Sequence, residues 1–212
     1  MSEAISRRSG TVFVVDDDRS FLKSVSRLLS AVGYTVWAFP SAEELIAELK
    51  PDMTGCIVAD LQMPGMDGLK LQEALRKSAN PLPIIFLTGQ GDVPASVSAM
   101  RGGAEDFLMK RAPKEELLAA VERALEREVT ERKQRGRLQE LRQRFNELSE
   151  RELEVLGHVV QGKMNKEIAA DLDINERTVK LHRTSITRKL KVQSTVELSR
   201  LTDEAGLFKA QK

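Results

Sequence analysis

Five polar side chains stand where apolar runs end. TVFVV leads into Asp16 and Asp17, CIVA into Asp60, IIFL into Thr88, and DFLM into Lys110. Three carboxylates crowded at one place repel one another unless a cation neutralises them, which calls for a hard divalent ion, with Mg²⁺ the natural candidate. Such an ion would hold a phosphate oxygen and offset the charge that builds up as Asp60 attacks phosphorus. Thr88 can donate a hydroxyl hydrogen bond to a phosphoryl group, and Lys110 can set an ammonium against it. Each has a plainer use: acids after a strand often cap helices, a threonine at a strand end is commonplace, and a lone lysine is usually solvated. Together, in this order, they make coincidence a poor explanation and point to a phosphoryl-accepting aspartate.

These residues converge only if the elements before them lie side by side. Strands are read at about 11–16, 34–39, 55–60, 84–88 and 106–109, with helices between them at about 19–32, 41–49, 67–78 and 92–102. Short β-branched runs alternating with amphipathic helices call for a parallel sheet covered on both faces. Ligands of such sheets bind outside the carboxyl ends of the strands, where strand order reverses. Polar residues far apart in sequence therefore meet there.

At 212 residues and 41% hydrophobic content, the chain has room for two modest domains. All seven prolines fall in the first 113 residues, and the remainder reads as nearly pure helix. Net charge divides too, −3 over residues 1–125 against +4 over 126–212. Cys56 is the sole cysteine and sits in an apolar strand pattern, which suits a buried small hydrophobe and excludes an internal disulfide. No apolar run approaches the roughly 18 residues of a membrane helix, and the start MSEAISRRSG lacks the hydrophobic region of a signal peptide. A soluble, cytoplasmic protein without a membrane partner is expected. The expected divisions are a flexible tail at 1–10, an α/β domain at 11–125, a helical linker at 126–147 and a second, helical domain at 148–212.

Pro113 followed by Lys114, Glu115 and Glu116 makes a good helix start. Leu118, Val121 and Leu125, and later Leu138, Leu141, Phe145 and Leu148, follow a 3, 4 spacing. Between them, eight of the twelve residues from Glu126 to Arg137 are charged, and Gly136 weakens the helix by about 1 kcal/mol against Ala. A solvated helical linker is one reading and a coiled coil that spaces a dimer is the other. Two short heptad stretches fall below the number of repeats that a coiled coil calls for.

Further on, NKEIAADL is a short amphipathic helix, DINE a turn, and Arg177 to Leu190 a candidate recognition helix. At 100° per residue, Val179, Ile186 and Leu190 fall on one line and should pack inward. Arg177, Lys180, Thr184, Arg188 and Lys191 form a stripe opposite them. Residues 177–191 hold six basic side chains and no acidic one, as phosphate contact requires. A solvated basic helix would look the same from charge alone. His182 lies nearer the inward face and reads first as a packed histidine. In a final helix at about 194–207, Val196, Leu198 and Leu201 offer core packing or a dimer surface, with packing the simpler use.

VVDDD, DLQMPGMDG after the third strand, LTG after the fourth and the lysine after the fifth resemble the receiver domain of two-component response regulators over residues 10–125. LSERELEVL, GKMNKEIA and TVKLHRTSITRKL resemble the LuxR-type helix-turn-helix of the NarL/FixJ family, nearest its FixJ, StyR and TodT branch given the helical linker. The resemblance implies a doubly wound, flavodoxin-like five-stranded parallel sheet of order 2-1-3-4-5 and a separate all-α domain. By it, Asp60 is the phosphoacceptor, Asp16 and Asp17 hold Mg²⁺ with Asp60, and Gln62 lends its backbone carbonyl. Thr88 and Phe107 are the switch pair, although Phe107 also reads as a core aromatic. Lys180, Leu181 and Thr184 face base edges and Lys166, Arg183 and Arg188 hold phosphates, with Thr178 among the DNA-binding residues. The family places a proline directly after the lysine; here Arg111 and Ala112 intervene, and a trans Lys110–Arg111 bond is expected.

The function so implied is a phosphorylation-activated transcriptional regulator, not an enzyme beyond promoting its own phosphorylation and dephosphorylation. A sensor histidine kinase would be its donor, double-stranded promoter DNA its target, a homodimer its phosphorylated form, and RNA polymerase a candidate further partner. Two other readings stand beside it. One is a regulator that binds DNA without phosphorylation through a degenerate receiver. The other is an aspartate-based phosphohydrolase using the D-x-D spacing of Asp16 and Asp18, though the second acidic pair and the cap or larger core that it needs are not visible.

Overall fold

The computed structural model describes residues 9–78, 81–89 and 93–208. The expected tail at 1–10 therefore lies, for residues 1–8, outside the described residues, as does residue 92, where the fourth helix was expected to begin. Two compact units divide the chain, Met1–Glu131 and Arg132–Lys212.

The first unit is built on β1 (Thr11–Val15), β2 (Thr35–Phe39), β3 (Cys56–Asp60), β4 (Ile84–Thr88) and β5 (Asp106–Met109). They pair in parallel in the order β2-β1-β3-β4-β5. Alternation along each strand sends side chains to two cores. Phe13, Val15, Ile57, Ala59 and Phe86 face α2 (Ala42–Glu48), α3 (Gly68–Lys77) and α4 (Val93–Arg101). Val12, Val14, Val58, Ile85 and Leu87 face α1 (Arg19–Ala31) and the first turns of α5 (Lys114–Asn146). Burial on both faces explains why β1, β3 and β4 read as continuous apolar runs. Cys56 is buried in this sheet, which pushes its thiol pKa up and leaves it an inert small hydrophobe. The helix starts follow their caps: Asp18, Ser41 and Asp67 each accept backbone N–H bonds at the head of α1, α2 and α3.

Gly136 does not interrupt α5, and the division between the units falls within this helix. Its later apolar positions are used within the chain. Leu141 and Phe145, with Leu148, enter the core of the second unit. A 3, 4 apolar stripe packs as readily on neighbouring helices of its own domain as on a second copy, so spacing alone left both uses open.

That second unit continues with α6 (Glu150–Val160), α7 (Asn165–Asp171), α8 (Glu176–Leu190) and α9 (Thr195–Ala205). Ser149 and Glu152 form a reciprocal capping box on α6, Asn175 caps α8, and Lys191 ends α8 in the left-handed conformation. Val179, Ile186 and Leu190 are fully buried, as the wheel requires. In α9, Leu198 is buried and Leu201 half-buried, but Val196 is 81% exposed and does not join the core. At 100° per residue it lies about 200° round the helix from Leu198, off the packed face. None of the peptide bonds among the described residues is cis, and no helix among them is long and apolar enough to cross a membrane.

Glu152 does more than cap. Its buried carboxylate accepts from Lys189 Nζ at 2.7 Å, joining α6 to α8. Burial alone would raise its pKa, but hydrogen bonds from Lys189, Ser185 and Ser149 bring it down to about 2 from 4.5. A carboxyl whose folded pKa is depressed stabilises the fold above its unfolded value and loses that contribution as pH falls through the folded value. Hydrogen-exchange protection of α6 and α8 should therefore drop between about pH 4.5 and about pH 2. Glu152→Gln should remove that dependence and lower protection at neutral pH by about 2–3 kcal/mol. In the first unit, a Cβ at Gly68 would stand 2.7 Å from both the Asp60 carbonyl oxygen and the Phe86 ring. Gly68→Ala should cost about 1–3 kcal/mol in urea unfolding of the full chain.

Candidate functional site

Asp16 follows β1 directly, Asp60 and Thr88 are the last residues of β3 and β4, and Lys110 follows β5. The connection after β1 turns outward to β2 while β3 and β4 continue the other way, so Asp16 and Asp60 flank the point where strand order reverses. One carboxylate oxygen from each of Asp16, Asp17 and Asp60 lies within 4.8 Å of the others. Asp16 and Asp60 are buried and Asp17 is exposed.

Lys110 ties this edge together. Its ammonium lies 2.7 Å from Asp16 Oδ2 and 2.8 Å from Asp60 Oδ2, with the side chain 19% exposed. Its backbone N–H donates to the Thr88 carbonyl at 2.8 Å, and Ala112 N–H closes a turn on Met109 at 2.8 Å. Thus the lysine reaches both acids with Arg111, not proline, behind it. Burial raises the pKa of Asp16, with Lys110 offsetting part of the rise. For Lys110 burial acts downward, but the hydrogen bonds to Asp16 and Asp60 outweigh it and leave the ammonium held above its ordinary value. The remaining oxygens are also engaged: Asp18 N–H donates to Asp16 Oδ1 at 2.9 Å and Gln62 N–H to Asp60 Oδ1 at 3.3 Å.

Three carboxylates facing one ammonium leave a formal charge of −2. An all-oxygen donor set with that residual charge fits one hard divalent cation such as Mg²⁺. Thr88 is buried at the same edge, one strand from Asp60. Phe107 is half-buried in β5, its ring 6.4 Å from that of Phe86 and tilted by 52°, packed toward the core under α2, α3 and α4.

Two members of the site escape a reading of the strand ends. Phe21, in the first turn of α1, places its ring 4.6 Å below the Lys110 ammonium. Asp18 accepts from Ser20 and Phe21 N–H and so spends its carboxylate on the head of α1. That use competes with the part a D-x-D phosphohydrolase would give the second acid. The cap could have been found from an aspartate just before an amphipathic run; the ring could not, because its approach depends on how α1 lies on the sheet.

On α8, Arg177, Lys180, Thr184, Arg188 and Lys191 are exposed, as is Leu181 at 65%. Lys166 is exposed on α7. Thr178 instead closes the cap, its hydroxyl donating to Asn175 Oδ1 at 3.0 Å. Arg183 is half-buried and donates to Asn165 Oδ1 at 3.0 Å, bracing α8 against α7. His182 is half-buried. Lys189, a basic residue outside the stripe, is held by Glu152 and the Glu147 carbonyl.

Comparison with known proteins matches both units. Residues 12–122 match the response regulator receiver domain, and residues 146–202 match the bacterial regulatory proteins of the luxR family. The response regulator protein TodT of Pseudomonas putida is 39% identical over 94% of this chain and 88% of its own length. Nodulation protein W of Bradyrhizobium diazoefficiens is 42% identical over 92% of this chain and 86% of its own. Transcriptional regulatory protein FixJ of the same organism is 36% identical over 94% and 97%. Among solved structures, the response regulator StyR superposes with a TM-score of 0.80 at 42% identity, over 92% of this chain and 98% of that one. With a five-stranded sheet of order 2-1-3-4-5 ahead of a LuxR-type helix-turn-helix, the chain belongs to the NarL/FixJ type of two-component response regulators.

Proposed function

We propose that this regulator is switched by phosphorylation of Asp60 and acts on promoter DNA through α8. The observation that carries the proposal is the Lys110 ammonium bridging Asp16 and Asp60 beside Asp17, in a chain that also exposes a basic recognition helix. A sensor histidine kinase is the donor. The bond that forms joins an Asp60 carboxylate oxygen to phosphorus, and the bond that breaks is the P–N bond of the donor phosphohistidine. Asp16, Asp17 and Asp60, with the Gln62 backbone carbonyl, would hold Mg²⁺, which supplies positive charge against the phosphoryl oxygens. Lys110 adds a second positive group there, and the Thr88 hydroxyl donates to the phosphoryl group. In this way the receiver promotes its own phosphorylation and dephosphorylation.

The modification adds up to about two negative charges at a buried edge. Thr88 is drawn toward it and Phe107 turns inward behind, which biases the surface of α4, β5 and α5 toward a homodimer. Two helix-turn-helix units then occupy paired half-sites, where Lys180, Leu181 and Thr184 meet base edges in the major groove. Thr178, at the head of α8, also contacts the DNA. Lys166, Arg183 and Arg188 take phosphates. Bound to promoters in the cytoplasm, the dimer would be placed to engage RNA polymerase.

Acetyl phosphate should add one phosphoryl mass to the parent chain, drive dimerisation in sedimentation, and tighten operator binding by about 5- to 150-fold. Asp60→Asn should lose all three responses. Full operator affinity in the unphosphorylated parent would instead favour a regulator that ignores its receiver. Within the DNA-binding unit, Lys180→Ala should cost about 1–3 kcal/mol and relax preference at one base pair. By contrast, Arg188→Ala should weaken binding evenly across sequences and reduce the salt slope by about one, read by titration at several salt concentrations.

A further inference from the structure

We infer that Phe21 is a positioning residue for Lys110, holding the ammonium over its ring so that it stays in the site while its anionic partners change. This rests on the reading of Asp60 as phosphoacceptor. Among the described residues the Lys110 ammonium meets Asp16 Oδ2 at 2.7 Å, Asp60 Oδ2 at 2.8 Å and the centroid of the Phe21 ring at 4.6 Å. One of them, Asp60, is the carboxylate that takes the phosphoryl group, and another, Asp16, is shared with the cation the site would hold. The third is chemically inert and does not titrate.

Phe21 is itself located from the acid site. Asp16 receives the ammonium on Oδ2 and, on Oδ1, the N–H of Asp18. Asp18 then accepts the N–H of Phe21 at 3.2 Å. The path closes on itself, from Asp16 through the cap of α1 to the ring and back through the ammonium to Asp16. Phe21 also lines, with Leu28, Met109, Lys114 and Leu117, the cavity of about 190 Å³ between α1 and α5 that the lysine stem borders. If the ring were absent, that cavity would open beside a flexible side chain with four rotatable bonds. After Lys110 the chain continues through Arg111 and Ala112 before Pro113, so the restraint on the ammonium comes from the side-chain contacts and not from a proline ring adjoining the lysine.

An aromatic face attracts a cation over a broad area rather than along one bond direction. As the ammonium exchanges a carboxylate oxygen for a phosphoryl oxygen, the ring can follow it without a rotamer change. With only Asp16 and Asp60 beside it, the ammonium would have a third N–H for the phosphoryl oxygen but no unchanging neighbour to hold it while the Asp60 contact is exchanged.

The test compares side chains that fill the same space with and without a π face. In the full-length protein with Mg²⁺ and acetyl phosphate, Phe21→Leu and Phe21→Met should slow phosphorylation of Asp60 by about three- to tenfold. Phe21→Tyr should stay close to the parent rate. Loss of the upfield ring-current shift on the Lys110 ε-methylene in Leu and Met, but not in Tyr, would report the contact directly. Thermal unfolding accompanies each variant, and a rate loss that tracked lost stability rather than π character would overturn the inference. So would parental rates in Leu and Met, or a Tyr variant as slow as Leu. If Phe21 variants match a parent that is phosphorylated on Asp60, the positioning role falls and the receiver reading stands. Failure of the parent itself to take up a phosphoryl group would sink both.

Discussion

The repulsion among Asp16, Asp17 and Asp60 is the constraint around which the first unit is organised. Parallel pairing of β1 with β3 forces Asp16 and Asp60 to the same edge, and burial of both weakens the water that would otherwise screen them. A single ammonium relieves part of the strain, which is why Lys110 must come from β5 at the other side of the sheet and cross the end of β4 to reach them. The same edge then retains a formal −2, a charge that favours a divalent cation and makes the site responsive to any further anion placed there. Every hydrogen bond described around it has a role in this balance. Gln62 and Asp18 N–H groups hold the acids from behind, while Asp18 in turn fixes α1.

The second unit sorts its charges differently. Alpha-helical periodicity lets α8 present Val179, Ile186 and Leu190 to the core while Lys180, Thr184 and Arg188 remain in water. Lys189 is the informative exception, since it lies on the helix that carries the basic stripe yet is held by Glu152 and the Glu147 carbonyl. One basic side chain of α8 is therefore spent on contacts within the domain while others on the same helix stay exposed. Arg183 makes a comparable bridge to Asn165, tying α8 to the head of α7. Positive charge is thus divided between holding the helix-turn-helix together and offering a face to an anionic polymer.

Much of this was legible before any coordinates. Strand ends carry their polar residues at sequence positions that a doubly wound sheet must bring together, because a parallel strand has one carboxyl end and right-handed crossovers return every strand in the same sense. The inward and outward faces of α8 followed from 100° per residue, and Pro113 with the acids after it marked the start of α5. These are local or periodic properties, and local physics is written in the order of residues.

Contacts between elements were not legible in the same way. Nothing in the spacing of Phe21 and Lys110 foretells a ring beneath an ammonium, and nothing in Glu152 and Lys189 foretells a part-buried pair 37 positions apart. Val196 and Leu198 are both apolar and lie about 200° apart on α9, and the packed neighbours decide that the Leu198 side is the one covered. Likewise Leu141 and Phe145 have the spacing of an interchain seam but serve the core of their own unit. By itself the sequence determined the sheet, its acid edge, the basic face of α8 and the family. The tertiary structure decided which cations are spent inside the fold and which remain available, because that choice depends on distances between elements that no periodicity encodes.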